Sequence, residues 1–354
     1  MKSLVMRVSR INQVAVIGAG SWGTALAKLL GDKGEKVLLW AHTPEHVSAL
    51  QRDRENKKYL PGAKLPETVH FVADLTEAVE CAQCVVMVVP SHGFRDVFKQ
   101  LAPKLMDGAL VVSAVKGIEN TTLQTMTQVI QDTLHQQNCT RTIHLGVLSG
   151  PSFAAEVAVG QPTAVTVAFN DKDAACAVQE LFSTPFFRAY TSSDVIGLEL
   201  CAAMKNVVAI AAGIGDGLGY GLNSRAALIT RGLAEITRLG VKLGAQPFTF
   251  SGLGGLGDLV LTCTGGLSRN RTVGLKLGEG KSLDQALAEM TMVAEGVKTT
   301  KSCYNLARQH EVEMPILEQT YQILYKNKDC RQAVQELFQR SLKEEITVWT
   351  VRST

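Results

Sequence analysis

The chain has 354 residues, of which 46% are hydrophobic and 19% are charged, and its formal net charge is +3. This length accommodates two domains with separate hydrophobic cores, and so small a charge favours neither nucleic acid nor an anionic membrane as a partner. Residues 1–13 lack the long apolar core of a signal peptide. Because Lys205 and Asp216 interrupt the best apolar stretch, we expect no membrane span and a cytoplasmic protein.

Eight cysteines are scattered along the chain, and Cys81 and Cys84 form a CxxC directly before an apolar run. A zinc site needs a second pair of Cys or His at suitable spacing, and the sequence does not offer one. A redox CxxC usually opens a helix after a strand, whereas this one precedes a strand. We therefore predict reduced, structural thiols and no bound metal.

The first predicted elements are a strand, a helix and a second strand, with a glycine motif between strand and helix. Gly18, Gly20 and Gly23 complete a GxGxxG. In this motif the first glycine permits a tight turn, the second lets a pyrophosphate approach the backbone, and the third lets helix and strand pack closely. Its place between a strand and a helix makes it far more specific than the spacing alone, so we predict a dinucleotide site. A merely tight turn is the alternative. The three elements are predicted at 13–17, 24–30 and 37–40.

The end of the second strand bears on the choice of cofactor. An NAD-selective site normally places Asp or Glu there to hold the ribose 2′-hydroxyl, but this chain has Trp40, Ala41, His42 and Thr43. Without a carboxylate nothing repels a 2′-phosphate, so we predict that NADP is accepted. A basic cluster follows, for which an ordinary solvated face is the alternative; its members are Arg52, Arg54, Lys57 and Lys58.

Further apolar strands continue the α/β pattern, and ligands of such sheets bind beyond the carboxyl ends of the strands. At three of these ends the chain has the segments VVPSH, AVKG and LSGPSF. Lys116 is the one Lys or Arg in these segments, so we expect it to face the substrate; a surface lysine is the alternative. The strands are predicted at 84–89, 109–115, 144–148 and 164–169.

From about residue 191 the apolar pattern becomes helical. Asn223 or Ser224 is predicted to cap the second helix of this half, and Gly244 to end it. The boundary has no Pro/Gly linker, so we predict two tightly packed domains, a dinucleotide-binding domain at 1–190 and a helical substrate domain at 191–354. The helices are predicted at 195–213, 223–243, 283–290, 297–309 and 315–325.

Lys205 is placed inside the otherwise apolar first helix of this half, next to Asn206. A buried ammonium must find a partner, lose its proton or face a wet cleft, and each of these makes it a candidate acid–base group. A lysine that lays its stem across an apolar face is the alternative.

A glycine-rich segment at 251–271, SGLGGLGDLVLTCTGGLSRNR, supplies the remaining candidates. Its glycines crowd around Asp258 and predict that a charged group approaches the backbone there. Ser268, Arg269 and Asn270 together offer an anion hydroxyl, guanidinium and amide donors. We predict a phosphate or carboxylate clamp, with a polar surface loop as the alternative.

These segments carry a resemblance that spans nearly the whole chain: VIGAGSWGTALA, VVPSHGFRDV, VKGIE, LSGPSFAAEVA, MKNVVAIAAGIGDGLGYGLNSRAALITRGLAE, GLGDLVLTCT, SRNR and VAEGVKT. They resemble the bacterial NAD(P)-dependent glycerol-3-phosphate dehydrogenases. The resemblance implies an α/β Rossmann-like N-terminal domain followed by an all-α C-terminal domain. It also implies reversible reduction of dihydroxyacetone phosphate to sn-glycerol 3-phosphate with NADP or NAD, which supplies phospholipid synthesis.

The resemblance also implies roles for individual residues, with Lys205 on the proton-transferring lysine and Thr262 lining the site. Trp22 and Ser152 stand where Tyr or Phe and Thr also occur in relatives, and SGLGGLGDL varies a more usual MAGLGDL. The substrate positions are Lys116, Gly150, Ser152, Lys205, Asn206, Asp258, Ser268, Arg269 and Asn270. The cofactor positions are Gly18, Gly20, Ser21, Trp22, Gly23, His42, Lys116, Ala154, Arg269, Val293 and Glu295.

The expected chemistry centres on Lys205. Protonated, it stabilises the charge that grows on the C2 oxygen during reduction and donates its proton; neutral, it is the base of the reverse reaction. To do both near neutral pH its pKa must fall to roughly 7–8. The apolar helix and Lys116 both lower that pKa, whereas Asp258 opposes the shift and holds the ammonium in place.

Two other functions remain open on the residues alone. A dehydrogenase of the same two-domain plan that acts on a hydroxy acid or sugar acid would use the clamp for a carboxylate. A catalytically silent nucleotide sensor would need the glycine motif but neither Lys205 nor the SRNR segment. Apolar helical surfaces favour a homodimer.

Overall fold

The computed structural model describes residues 11–290 and 294–345. Within them the chain first builds one eight-stranded sheet of order β3-β2-β1-β4-β5-β6-β7-β8. All neighbours pair parallel except β6 and β7, which pair antiparallel. The strands are β1 (Gln13–Ile17), β2 (Lys36–Trp40), β3 (Val69–Val72), β4 (Cys84–Met87), β5 (Ala109–Ser113), β6 (Ile143–Ser149), β7 (Thr163–Phe169) and β8 (Phe187–Ser192).

Helices cover both faces of this sheet, which is why its central strands are continuous apolar runs. In β1, Val14 and Val16 belong to the core cluster that includes α1, while Ala15 and Ile17 belong to the cluster on the other face, which includes α3. The helices of this half are α1 (Ser21–Asp32), α2 (Pro44–Asp53), α3 (Leu75–Val79), α4 (Phe94–Leu101), α5 (Met126–Gln136), α6 (Ala154–Ala158) and α7 (Lys172–Phe182).

The strands predicted from the sequence are confirmed to within two residues at each end. The pattern missed β3 and β8, which are the two edge strands of the sheet. Exposed polar or aromatic residues interrupt the apolar run of each, namely His70 in β3 and Arg188 and Tyr190 in β8. The sequence also did not predict that β7 runs antiparallel to β6, which places its carboxyl end at the opposite edge of the sheet.

After β8 the described chain is helical. The boundary proposed at 190/191 falls just before the last two residues of β8, and α8 begins at Val195. The helices are α8 (Val195–Gly217), α9 (Leu222–Lys242), α10 (Asp258–Thr264), α11 (Arg269–Gly278), α12 (Leu283–Ala288), α13 (Glu295–Gln309), α14 (Pro315–Lys326) and α15 (Cys330–Phe338). A π-helical turn, Leu253–Gly257, leads into α10.

Helix α8 is the central element of this half. By length and composition it is the one described helix that could cross a membrane, so the argument that Lys205 and Asp216 exclude a span by shortening the apolar run was wrong. Burial decides the matter instead, because 83% of its most apolar window lies inside the protein. It is a core helix, surrounded by α9, α10, α11, α13 and α14.

Two predicted helix boundaries needed correction. The residue that precedes α9 is Gly221, which makes no side-chain cap, so the cap predicted at Asn223 or Ser224 was wrong. Gly244 does follow the end of α9 and has a φ of +91°, a conformation that favours glycine. Helix α8 continues to Gly217, four residues beyond its predicted end at 213.

Candidate active site

Lys205 lies on α8 with 5% of its surface exposed, and it has two polar partners. Its Nζ donates to Oδ1 of Asp258 at 2.6 Å and to Oγ1 of Thr262 at 2.7 Å. Both partners belong to α10, where they are one helical turn apart and therefore face the same side. A buried lysine that is hydrogen-bonded in this way does not lay its stem across a surface, so the acid–base interpretation is the one that the geometry supports.

Asp258 joins the two halves of the chain. It is 1% exposed, and its second oxygen, Oδ2, accepts a hydrogen bond of 2.8 Å from Nζ of Lys116. Lys116 follows the carboxyl end of β5, as expected for a residue that faces a ligand at the sheet edge. One carboxylate thus holds two ammonium groups that come from the sheet and from the helical half.

Burial and charge set the protonation of this cluster. Burial lowers the pKa of Lys205 to about 8; Asp258 opposes that shift and the charge of Lys116 adds to it. Burial by itself would raise the pKa of Asp258, but the two lysines outweigh burial and hold that pKa below its usual range. Lys205 is therefore close to the value at which one group can both donate and accept a proton near neutral pH.

The glycines before Asp258 serve packing. A Cβ on Gly254 would overlap Cδ1 of Leu198, and one on Gly255 would overlap the backbone oxygen of Phe250. The prediction that these glycines open the backbone to a charged ligand was therefore wrong for these two positions. They let the π-helical turn lie close to its neighbours, and that turn delivers Asp258 to Lys205.

The turn after β6 borders the cluster from the other side. Nζ of Lys116 also lies 3.4 Å from the carbonyl oxygen of Gly150, and Oγ of Ser152 donates to the same oxygen at 2.9 Å. Gly150 has a φ of +154°, and a Cβ there would lie 2.8 Å from Cα of Val165, so glycine is required. Gly150 and Ser152, the two predicted substrate positions of this turn, therefore lie next to the ammonium group of Lys116.

The predicted clamp lies at the N-terminus of α11. Oγ of Ser268 accepts from the backbone N–H of Arg271 at 3.3 Å, which leaves the hydroxyl hydrogen available to a ligand. Oδ1 of Asn270 accepts from the N–H of Gly296 at 2.9 Å, so its amide N–H groups point elsewhere. Arg269 is exposed, and its guanidinium makes no hydrogen bond to any residue that the structure describes.

Arg271, the other arginine of the SRNR segment, belongs to a different contact. Its side chain pairs with Asp216 of α8 at 2.7 Å, not with a ligand position. Asn206, next to Lys205, donates to the backbone oxygen of Lys116 at 3.3 Å and so links α8 to the sheet edge. The structure therefore brings Lys116, Lys205, Asn206 and Asp258 together, with Ser268–Asn270 at the start of a neighbouring helix.

The glycine motif has the geometry of a dinucleotide cradle. Gly18 has a φ of +121°, and a Cβ there would lie 2.9 Å from the oxygen of Val88. A Cβ on Gly23 would overlap the oxygen of Gly18, which shows how closely α1 packs on the turn. Above Gly20, by contrast, no atom lies within 4 Å of a Cβ position, and no side chain caps the first N–H groups of α1. This open helix N-terminus fits a pyrophosphate.

The residues around this cradle are arranged as follows. Ser21 and Trp22 begin α1, where Oγ of Ser21 donates to the oxygen of Tyr59 at 2.6 Å and Trp22 packs against the core of the sheet. Ala154 begins α6 and packs on the same core. His42 lies exposed after β2, edge-on to Trp40 with ring centroids 5.8 Å apart.

The basic cluster after β2 is largely engaged within the protein. Arg52 and Lys57 pair with Asp53 at 2.9 and 3.0 Å, and Arg54 donates to backbone oxygens that include those of Leu65 and Val69. A solvated, self-paired face is therefore the better interpretation of this cluster. His42 remains as the group next to the end of β2.

Glu295 lies at the start of α13, and its Oε1 accepts from the N–H of Ser91 at 3.3 Å, in the loop that follows β4. Burial raises the pKa of Glu295, and the nearby charge of Arg269 opposes that shift. Glu295 thus lies between Ser91, near the end of β4, and the charge of Arg269 on α11. Val293, the other predicted cofactor residue of this segment, lies outside the described residues.

Sequence reasoning missed Asn56, which holds the glycine turn in place. It is 1% exposed, and its Nδ2 donates to the oxygen of Ala19 at 2.9 Å and to Oγ1 of Thr24 at 2.7 Å. It also missed Thr299, a buried threonine whose Oγ1 lies near Gly117. Neither residue has a spacing or composition that marks it, because each acts through the folded neighbourhood of a distant segment.

Across residues 11–290 and 294–345 no group of three His, Cys, Asp or Glu side chains is arranged to hold a metal ion. The eight cysteines are all free, with Cys84 buried at the start of β4 and Cys81 exposed. Burial raises the pKa of the Cys84 thiol to about 12, so it stays protonated. The buried Cys84 fits the predicted structural role, and for the exposed Cys81 that role stays a prediction.

Comparisons with known proteins place the chain and its fold in one family. The models for the N-terminus and the C-terminus of NAD-dependent glycerol-3-phosphate dehydrogenase match residues 13–175 and 194–335. Glycerol-3-phosphate dehydrogenase [NAD(P)+] of Desulfotalea psychrophila is 60% identical over 94% of this chain and 98% of its own length. The crystal structure of glycerol-3-phosphate dehydrogenase from Coxiella burnetii has a TM-score of 0.89 at 41% identity, over 93% of this chain and 99% of that one.

A dinucleotide cradle beside a buried lysine–carboxylate cluster defines a two-domain NAD(P)-dependent oxidoreductase. Within that class, the chain belongs to the NAD-dependent glycerol-3-phosphate dehydrogenase family. The family and the fold class predicted from the sequence are thereby confirmed.

Proposed function

We propose that this protein catalyses the reversible NAD(P)H-dependent reduction of dihydroxyacetone phosphate to sn-glycerol 3-phosphate, with Lys205 as the proton donor and acceptor. The observation that carries the proposal is the cluster in which Asp258 holds Lys205 and Lys116 at the carboxyl edge of the sheet. Membership of the family supports the choice of substrate, since the relatives that match most of the chain bear that activity in their names.

Lys205 performs the acid–base step. Bound NAD(P)H supplies the hydride that the C2 carbon of the substrate receives. As negative charge grows on the C2 oxygen, the ammonium of Lys205 stabilises it and transfers one proton to it. In the reverse direction neutral Lys205 removes that proton from the C2 hydroxyl. Its pKa of about 8 makes both forms available near neutral pH.

Asp258 and Lys116 prepare the lysine for this step. The 2.6 Å bond to Asp258 orients the ammonium, and the bond to Thr262 fixes it from a second side. Lys116, which shares the same carboxylate, adds positive charge on the side of the sheet edge, where it steadies the substrate oxygens. A substrate oxygen that approaches both ammonium groups meets a site whose charges are already in position.

The start of α11 binds the phosphate. Arg269 offers a guanidinium fork that suits two parallel bonds to phosphate oxygens, and Asn270 and Ser268 add amide and hydroxyl donors. Binding energy gained at the phosphate orients the reacting carbon towards Lys205. The exposed Arg269 and the engaged Oδ1 of Asn270 support this assignment.

The first experiment follows nicotinamide absorbance while dihydroxyacetone phosphate is added to the enzyme with NADPH, and then with NADH. Rapid oxidation is expected with NADPH, because no carboxylate at the end of β2 repels its 2′-phosphate. Cofactor binding without oxidation would overturn the proposed reaction while leaving the fold intact, and carboxylate substrates would then be assayed. Strict use of NADH would overturn only the proposed acceptance of NADP.

We also propose that the enzyme acts in the cytoplasm as a homodimer and supplies glycerol 3-phosphate for phospholipid synthesis. Large exposed apolar side chains on the helical half, Leu222 and Phe248 among them, support a contact between copies. Light scattering of the purified protein tests the dimer, and a monomeric mass at working concentrations would overturn it.

A further inference from the structure

Helix α11, which carries the proposed phosphate clamp at its N-terminus, lies with its backbone directly against α8. Glycines on both helices make this contact, and a Cβ on any of them would overlap the backbone of the other helix. With no side chains between them, the two backbones approach as closely as helices can. The glycines are Gly213 and Gly217 on α8 and Gly274 and Gly278 on α11.

Asp216 lies in this contact, in the last turn of α8, and its side chain is 8% exposed. Its Oδ2 accepts from Nε of Arg271 at 2.7 Å, and Nη2 of the same guanidinium lies 2.7 Å away. Its Oδ1 accepts from Nε and Nη2 of Arg225, on α9. One buried carboxylate thus ties the first turn of α11 to the end of α8 and to α9.

Together with the glycine contact, the bridge sets the direction in which Arg269 points. Arg271 and Arg269 lie two positions apart in the first turn of α11, so their side chains leave the helix about 200° apart. Because Arg271 is held on α8, Arg269 faces away from α8, where it is exposed. Ser268 adds to this by capping the same turn through the N–H of Arg271. Rotation of α11 about its axis would move both arginines together.

We infer that Asp216 is a positioning residue for the phosphate end of the substrate. Its bridge to Arg271 fixes the rotation of α11, so that Arg269 and Asn270 hold the phosphate at the distance from Lys205 that the reacting carbon requires. This inference rests on the proposed function of the clamp. A misplacement of about 1 Å in such a group costs on the order of 100-fold in rate.

Loss of the Asp216 carboxylate should change the affinity for phosphate in opposite directions, depending on whether Asp216 positions the clamp or acts only through its charge. Replacing Asp216 by Asn leaves the guanidinium groups of Arg225 and Arg271 without their counter-charge. If only charge mattered, the added positive potential would strengthen binding of a phosphate. If the bridge positions the clamp, binding of the phosphate weakens although the site has become more positive.

The test uses the full-length enzyme with Asp216→Asn and measures KM and kcat for dihydroxyacetone phosphate, KM for NADPH, and competitive inhibition by inorganic phosphate. We expect KM for the substrate and the inhibition constant for phosphate to rise together by about 10-fold or more, with KM for NADPH unchanged. Arg271→Lys, which keeps the charge but loses the fork, is expected to change them in the same direction. If Asp216→Asn does not fold, Arg271→Lys decides the matter.

The matched control is Glu289→Gln, which removes the partner of Lys276 and Lys281 near the opposite end of α11 and is expected to leave all these constants unchanged. Unchanged or tighter phosphate binding in both Asp216→Asn and Arg271→Lys would overturn the inference. Arg269→Ala separates the two proposals. If it leaves the substrate KM unchanged, the clamp itself is misassigned; if it raises KM while the bridge variants do not, only the role of Asp216 falls.

Discussion

The cofactor cradle consists mainly of backbone atoms, whereas the cluster around Asp258 consists of charged side chains. The cradle at Gly18–Gly23 consists of backbone, with an open space above Gly20 and free N–H groups at the start of α1. The cluster around Asp258 consists of charged side chains that reach each other across the chain. A backbone site is sensitive to added volume and indifferent to pH, whereas a side-chain site is sensitive to charge. The same enzyme can therefore be disabled in two ways that leave different signatures.

The largest expected effect comes from removing the proton donor. Lys205→Ala should lower kcat by about 10²–10⁴-fold, because among the described residues only the Lys205 ammonium donates to both Asp258 and Thr262. NADPH binding, measured by fluorescence titration, should stay close to wild type since the cradle is separate. Near-wild-type turnover would refute the assignment of Lys205.

The pH dependence is expected to follow Lys205, whose pKa burial lowers to about 8. Reduction needs the ammonium, so its rate should fall by about tenfold per pH unit above that value, while oxidation, which needs the free amine, should rise up to it. Asp258→Asn removes the group that raises this pKa, so the inflection should move to lower pH. Profiles of kcat in both directions check this, and an inflection at the ordinary value of lysine would contradict it.

A single methyl group should distinguish the two glycine-rich segments. Gly20→Ala places a Cβ in open space, so thermal stability should change little, but KM for NADPH should rise by about tenfold because the pyrophosphate loses its approach. Gly255→Ala drives a Cβ into the backbone oxygen of Phe250, and such overpacking costs about 1–3 kcal/mol of stability. Thermal unfolding and cofactor titration of both variants decide the matter, and equal effects on stability would contradict the distinction.

The smallest effect is expected at His42. It lies exposed after β2, where no carboxylate competes for the ribose, so His42→Ala should change the ratio of KM values for NADPH and NADH by a few-fold, about 1 kcal/mol or less. Arg52→Ala is the control, because Arg52 pairs with Asp53 and is expected to leave the ratio unchanged. If Arg52→Ala changes this ratio more than His42→Ala does, the 2′-phosphate is bound by the basic cluster and not by His42.

The cradle could be predicted from the sequence because its requirements are local. Each glycine is required by the turn that contains it. The structure shows a positive φ at Gly18, open space at Gly20 and close packing at Gly23. The edge strands β3 and β8 could not be predicted in this way, since exposed residues such as His70 and Arg188 interrupt their apolar runs. The family resemblance supplied what local patterns lack, namely which distant residues meet.

The helical half shows where pattern reasoning fails. In the sequence Gly254 and Gly255 resemble a ligand-binding loop. In the structure Leu198 and Phe250 occupy the space beside them, and no local sequence pattern predicts these contacts. Arg271 shares a motif with Arg269 but is committed to Asp216 on another helix. In both cases the partner that decides the role lies far away in the chain, and only the fold identifies it.

The ion pair between Lys116 and Asp258 joins segments that are synthesised at different times. Domains fold as the ribosome releases them, N-terminal parts first. When β1 to β5 have emerged, the chain has its nucleotide cradle and Lys116, but the carboxylate that holds Lys116 follows 142 residues later. The nascent chain therefore completes its glycine turn before the ion-pair cluster of Lys116, Asp258 and Lys205 can form. The cluster is complete only when the helical half has packed against the sheet.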